Sequence, residues 1–342
     1  MDPLPGHVPL LASTRGSTVE CIHHGSIAVC DRDGALVAAA GDAHALNFAR
    51  SALKPLQALP FIEDEGPARF GFTSHDVALM CASHSGEAIH VSTVRRMLVR
   101  IGAAESDLQC GSHVPYFFSA TGSPVDPHAR FDSLHHNCSG KHAGFLAYCR
   151  LHGHRLSDYL GPEAPLQVRI RNTVQQLAGT DRIECGIDGC SAPNFALPLA
   201  RLAFAYSQLA TSTQPARTAL RYAMTRHPDL VSGTGRVDLA LAQAGGGDWV
   251  VKAGADGVQA IGVRSRGLGI AIRIADGNLR ARHAVTVEVL YQLGLLPAPL
   301  PAALVAHFRP ALTNLRGTVV GALQPLFTLH GEAAAGSGTA LR

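Results

Sequence analysis

The sequence predicts an α/β (α+β) protein in which N- and C-terminal segments share one antiparallel sheet with flanking helices, and a helical lobe is inserted between them. Three observations predict it. Alternating runs rich in Val, Ile and Ala stand at about residues 18–40 and again at 249–274. Between them, from about Ser74 to Ala244, apolar residues recur at helical spacing. Strands at the two ends of a chain, separated by a helical middle, bury their apolar faces best by pairing with one another.

Taken in order, Thr18-Val-Glu-Cys-Ile and Ser26-Ile-Ala-Val-Cys alternate, Asp31-Arg-Asp-Gly34 supplies a turn, and Ala35-Leu-Val-Ala-Ala continues as strand. From Ser51 the pattern turns helical, with Leu53, Leu56, Leu59 and Ile62 at spacings of three and Pro55 tolerated in the first turn. Helical periods follow at Val91 to Ile101, Gly144 to Leu151, Leu166 to Leu177 and Ala216 to Met224, with loops expected around 110–142 and 184–194. After Gly245-Gly-Gly247, three runs starting at Trp249, Val258 and Gly269 read as a meander turning at Asp256-Gly257 and beyond Ile274 at Asp276-Gly277. Arg280 to Leu296 reads as an amphipathic helix, followed by a Pro-rich link and a last apolar segment. The expected lobes are therefore 1–75 with 245–330 (sheet) and 76–244 (helical), with a cleft between them and a disordered tail at 331–342.

Composition removes several functions. A net charge of +3 and no basic run longer than Arg95-Arg96 leave no nucleic-acid footprint. No run approaches the roughly 18–20 apolar residues that span a bilayer. The start of the chain has no basic segment followed by an apolar stretch, so no secretory signal is expected. Eight scattered cysteines fit a reducing cytoplasm better than a disulfide framework.

Only three lysines, Lys54, Lys141 and Lys252, stand among 29 basic residues. Arginine cannot lose its proton in a protein, whereas an amine can become a base, nucleophile or ligand. Each lysine sits in a reactive string. Ser51-Ala-Leu-Lys54 puts a hydroxyl and an amine one turn apart, where a neutral lysine could take the serine proton. Lys252-Ala-Gly254 lies at the start of a late strand, and Cys81-Ala-Ser83-His-Ser85-Gly-Glu87 supplies further hydroxyls. There Ser83 or Ser85 could equally cap a helix with Glu87 in its first turn. S-x-x-K on a helix followed by K-[ST]-G on a strand is the layout of serine acyl-transfer enzymes of the β-lactamase and penicillin-binding class, from which Ala253 departs. His136-Asn-Cys138-Ser-Gly-Lys141-His142 and Cys185-Gly-Ile-Asp188-Gly-Cys190 gather thiols, amine and imidazole. Such groups either bind a zinc-like ion or are buried small residues.

Together, Arg50-Ser-Ala-Leu-Lys-Pro-Leu-Gln57, Ala82-Ser-His-Ser-Gly-Glu87, His136 to Gly144, Gly186 to Cys190 and Lys252-Ala-Gly-Ala-Asp-Gly257 resemble the rhizobial-type, class 3 L-asparaginases over roughly residues 8–296. That family is a relative of the β-lactamase/glutaminase fold. The resemblance implies two Ser–Lys tandems, Ser51 with Lys54 and Ser83 with Lys252. It implies a zinc ion on Cys138, Lys141 and Cys190, with Asp188 holding the substrate's amino group and Arg50 and His142 lining the pocket. It further implies a cytoplasmic homodimer hydrolysing L-asparagine. A glutaminase or β-lactam-handling enzyme, a Schiff-base lyase and a metal-bound amino-acid sensor are the competing readings.

Overall fold

The structure, a computed structural model, describes residues 4–330; the expected tail at 331–342 lies outside the described residues. The chain clusters into two units. One contains residues 4–49, 197–211 and 251–330, and the other contains Arg50–Ala196 and Ser212–Val250.

The first unit is organised on a sheet with strand order Ala311–Thr313, Val319–Pro325, Val8–Arg15, Thr18–Cys30, Leu268–Ile274, Val258–Val263, Trp249–Gly254. Leu36–Ala40 pairs off this path with Thr18–Cys30. The central pairing joins the two ends of the chain: Gly25 to Cys30 run antiparallel against Ile274 to Gly269. This is the sheet of N- and C-terminal segments that the sequence predicts. Leu10, Ile27, Val29, Ile261, Ile270 and Ile272 are buried within it.

Helix Leu199–Thr211 packs on these strands at very close range, and glycine is the reason. A Cβ on Gly269 would lie 1.8 Å from the Ala203 carbonyl oxygen, and one on Gly262 would lie 2.3 Å from that of Tyr206. The helix thus belongs with the sheet, although its position in the sequence places it among the helices. A second helix, Leu279–Gln292, also packs on the sheet, capped where the Asn278 side chain accepts the Ala281 N–H at 2.9 Å. Val8–Arg15, Ala311–Thr313 and Val319–Pro325 are strands that the periodicity does not announce. They are short or interrupted, as by Pro9 and Gly321, and Val319 and Leu326 stay exposed.

The second unit is mainly helical: Lys54–Glu63, Ser74–Met80, Ala88–Ile101, Ser139–Leu151, Pro165–Ala178, Pro215–Arg226 and Val237–Ala244 carry most of it. Residues 50–75, expected with the sheet, cluster here because Leu56, Leu59 and Ile62 bury among these helices. Asp76, fully buried, fastens two of them: it accepts from Arg96 at 2.7 Å, from Arg100 at 3.0 Å and from the Thr73 amide at 2.7 Å. The expected loop at 184–194 is instead a hairpin, Glu184–Ile187 paired with Pro193–Pro198. Its first strand is too exposed to show an apolar alternation. The other expected loop contains a short helix, Tyr116–Thr121, and ends where helix Ser139–Leu151 begins. Among the described residues no helix is long and apolar enough to cross a membrane.

Candidate active site

Arg50 opens the site in a left-handed conformation, φ 51°, which costs a non-glycine residue about 1–2 kcal/mol. Two contacts hold it there: its amide donates to the Asn194 side chain at 3.0 Å and its Nε to Asp188 at 2.8 Å. The chain then makes one 3-10 turn, Arg50–Leu53, and enters the helix at Lys54 with Pro55 in the first turn. Lys54 is 1% exposed, and its Nζ donates to the Ala82 carbonyl at 2.6 Å and to the Ser83 hydroxyl at 2.9 Å.

This differs from the pairing the spacing suggests. Ser51 is half-buried one turn before Lys54, yet the amine is directed away to Ser83 by its bond to the Ala82 carbonyl. Ser83 itself is held by its amide, which donates to the Val231 carbonyl at 3.0 Å. Neither Ser83 nor Ser85 caps the following helix. Glu87 occupies that position, its amide donating to His90 Nδ1 at 3.1 Å. His84 is fully buried behind the serines. Its Nδ1 accepts the Gly86 amide, which leaves its proton on Nε2 to donate to Ser139 Oγ at 2.9 Å. Burial, then the neighbouring His90, keeps it neutral, well below the ordinary histidine pKa.

Cys138, Lys141 and Cys190 converge beside this pair, all at most 4% exposed. Lys141 Nζ donates to Cys190 Sγ at 2.9 Å and lies 5.4 Å from the Phe145 ring centre. The Cys138 thiol sits well below the ordinary cysteine pKa, because the Cys190 thiol hydrogen-bonds to it and the Lys54 and Lys141 charges outweigh burial. Burial opposes the Lys141 charge, but the two thiols prevail and raise its pKa. Burial pushes His136 and His142 each to about 4. His142 is fully buried, with Nδ1 against the Tyr159 hydroxyl at 2.7 Å.

The hairpin turn supplies Asp188. One carboxylate oxygen accepts from Arg50 Nε at 2.8 Å and the Gly189 amide at 2.9 Å, and the other from Asn194 Nδ2 at 3.2 Å. These three bonds use three of the about four acceptor positions of a carboxylate. Burial would raise the Asp188 pKa, but Lys141 and Arg50 hold it below the usual range. Thus Arg50, Ser51, Lys54, Ser83, Cys138, Lys141, His142, Asp188 and Cys190 all lie in the helical unit. Lys252 lies in the sheet unit, buried on strand Trp249–Gly254, with its Nζ donating to the Ala253 carbonyl at 2.8 Å.

Among the described residues no group of three or more His, Cys, Asp or Glu side chains is placed to hold a metal. The cluster here is two thiols and an amine, a soft and buried donor set that suits zinc once the amine is deprotonated. Asn194, Tyr159 and Thr234 also shape the site and escape sequence reading. Asn194 acts through the Arg50 amide and Thr234 through Glu87, both more than a hundred positions away, and Tyr159 through His142 on helix Ser139–Leu151.

A buried lysine on a serine hydroxyl is an arrangement that can activate a nucleophile. The chain belongs to the L-asparaginase II family, whose pattern matches residues 11–325, and is an asparaginase-type amidohydrolase. No curated protein matches it. Two solved structures are similar at low level. One, described as Mglu in its native form, is 15% identical with a TM-score of 0.45, covering 80% of this chain and 66% of that one. A β-lactamase (Mb2281c) from Mycobacterium bovis is 17% identical with a TM-score of 0.43, covering 78% and 94%.

Proposed function

We propose that the protein hydrolyses L-asparagine to L-aspartate and ammonia, as a rhizobial-type, class 3 asparaginase. The observation that carries the mechanism is the buried Lys54–Ser83 hydrogen bond of 2.9 Å. Lys54, when neutral, accepts the Ser83 proton as Oγ attacks the side-chain amide carbon. The resulting ammonium returns a proton to the leaving nitrogen, ammonia departs, and Ser83 carries an aspartyl ester. Water, deprotonated by Lys54, then cleaves the ester and restores the serine. General base catalysis of this kind contributes about 10²–10⁴-fold in rate.

In this reading Asp188 receives the substrate ammonium, while Arg50 and His142 line the pocket. Cys138, Lys141 and Cys190 are the proposed zinc ligands. A bound zinc ion would supply a fixed positive charge beside the substrate. An assembled homodimer in the cytoplasm completes the proposal.

Ammonia release from L-asparagine and L-glutamine by the purified protein tests it, run beside Ser83→Ala and Ser51→Ala. Release from L-asparagine that disappears in Ser83→Ala is the expected result. No release from either amide, with zinc supplied, would sink the reading.

A further inference from the structure

The segment Val231-Ser-Gly-Thr-Gly-Arg236 supports the serine segment through Val231 and Thr234, whereas its last residue, Arg236, has no part in the chemistry above. The Val231 carbonyl accepts the Ser83 amide at 3.0 Å. Gly233 has φ 133°, and a Cβ there would stand 2.5 Å from Ser85 Oγ and 2.6 Å from Glu87 Oε1. Thr234 takes both oxygens of Glu87, through its amide at 2.9 Å and its hydroxyl at 2.7 Å. Glu87 is therefore committed to Thr234.

Arg236 is left under-partnered. Its guanidinium stacks 5.2 Å from the Tyr116 ring centre, and its contact with Asp238 is 3.9 Å, beyond hydrogen-bond range. Its Nη1 is buried with no hydrogen-bond partner among the described residues, as are the hydroxyls of Ser85 and Ser232. A buried charged donor without an acceptor is costly, and a carboxylate would satisfy it. Position agrees with this. The Tyr116 phenol is raised first by burial, with the Cys138 thiol adding and Arg236 and Arg50 opposing. Thiol and both guanidiniums lie within electrostatic reach of one hydroxyl. Arg50 already bonds Asp188, the residue assigned to the substrate ammonium.

We propose that Arg236, steered by the Tyr116 ring, is the carboxylate-binding residue that grips the α-carboxylate of the amino-acid substrate. The assignment rests on the asparaginase reading for the identity of that substrate. It gives the site a two-point grip, ammonium on Asp188 and carboxylate on Arg236, which fixes the side-chain amide between them. An amide lacking the carboxylate would be held by one end only.

The test compares the protein with Arg236→Met and Arg236→Lys on L-asparagine and on 3-aminopropanamide, the same molecule without its α-carboxylate. A hydrogen bond to a charged group predicts about a 10- to 100-fold loss of kcat/KM on L-asparagine for Arg236→Met, mainly through KM. The loss on 3-aminopropanamide should be small, and Arg236→Lys should recover part of the difference. Equal losses on both amides, or none on either, overturn the proposal. Calorimetric titration with L-aspartate reads the same subsite without turnover, and separates this inference from the reaction itself. Binding that weakens 10-fold or more in Arg236→Met supports it even if no ammonia is released. Failure of the parent protein to bind L-aspartate overturns it. Should Arg236→Met not fold, Arg236→Lys carries both comparisons, with weakened carboxylate discrimination expected and unchanged discrimination contradicting it.

Discussion

Replacing Lys54 by Met removes one amine and keeps the length and apolar stem of the side chain. In the native protein that amine is 1% exposed and bonds the Ala82 carbonyl and Ser83 hydroxyl. Two consequences separate cleanly. Loss of the base should reduce turnover about 10²–10⁴-fold, which at 1.36 kcal/mol per decade is roughly 3–5 kcal/mol of transition-state stabilisation. The folded state loses a partner for a buried carbonyl, about 1–3 kcal/mol, but also no longer buries a polar amine. Net destabilisation should stay under about 3 kcal/mol, so the variant should melt cooperatively within several degrees of the parent. Ammonia release under substrate saturation, with a thermal melt on the same sample, reads both quantities. A folded Lys54→Met variant retaining more than a tenth of the parent rate would refute the assignment of Lys54 as the base.

Asp76→Ala should destabilise the protein by about 2–3 kcal/mol, since it strips a buried carboxylate from Arg96, Arg100 and the Thr73 amide. A denaturant midpoint measures this, and an unchanged midpoint would contradict it. On acidification, stability should fall from about pH 6.5 downward. His84 and His90 are buried with lowered pKa values, burial being the first cause of each, so the unfolded chain takes up protons that the native one refuses. Their contribution is complete above about pH 6.5 and is lost toward the native pKa, at about 1.4 kcal/mol per pH unit for each histidine. Melting curves against pH should therefore be flatter by one proton in His84→Gln, and an equally steep curve would be evidence against the buried neutral imidazole. Zinc should raise the melting temperature of the parent but not of Cys138→Ser or Cys190→Ser. A shift of equal size in all three would place the ion elsewhere.

The hairpin at 18–40, the late meander and the helical middle were legible because each repeats its apolar residues over enough positions to show a period. Val8–Arg15 and Val319–Pro325 were not, because their place in the sheet is decided by pairing with each other across the whole chain, Leu11 opposite Pro325. Helix Leu199–Thr211 shows its period, but its allegiance to the sheet is set by Gly262 and Gly269 some fifty or more residues later.

The site divides the same way. The scarcity of lysine pointed to Lys54 and Lys141, and both are buried on reactive partners. What spacing could not show was the direction of the Lys54 side chain. Ser51 lies one turn away, yet the Ala82 carbonyl, brought close by the tertiary fold, draws the amine to Ser83. Arg236 was invisible for a related reason. Nothing about one arginine among 26 marks it until the loop around Gly233 and Thr234 is seen to occupy Glu87.

The most direct measurement of the central claim is to quench the reaction with L-asparagine rapidly in acid and map the covalent adduct by peptide mass spectrometry. An aspartyl ester on Ser83 that forms and decays at the rate of turnover is the result predicted from the Lys54–Ser83 pair. An adduct on Ser51 instead, or turnover without any serine adduct, would contradict it.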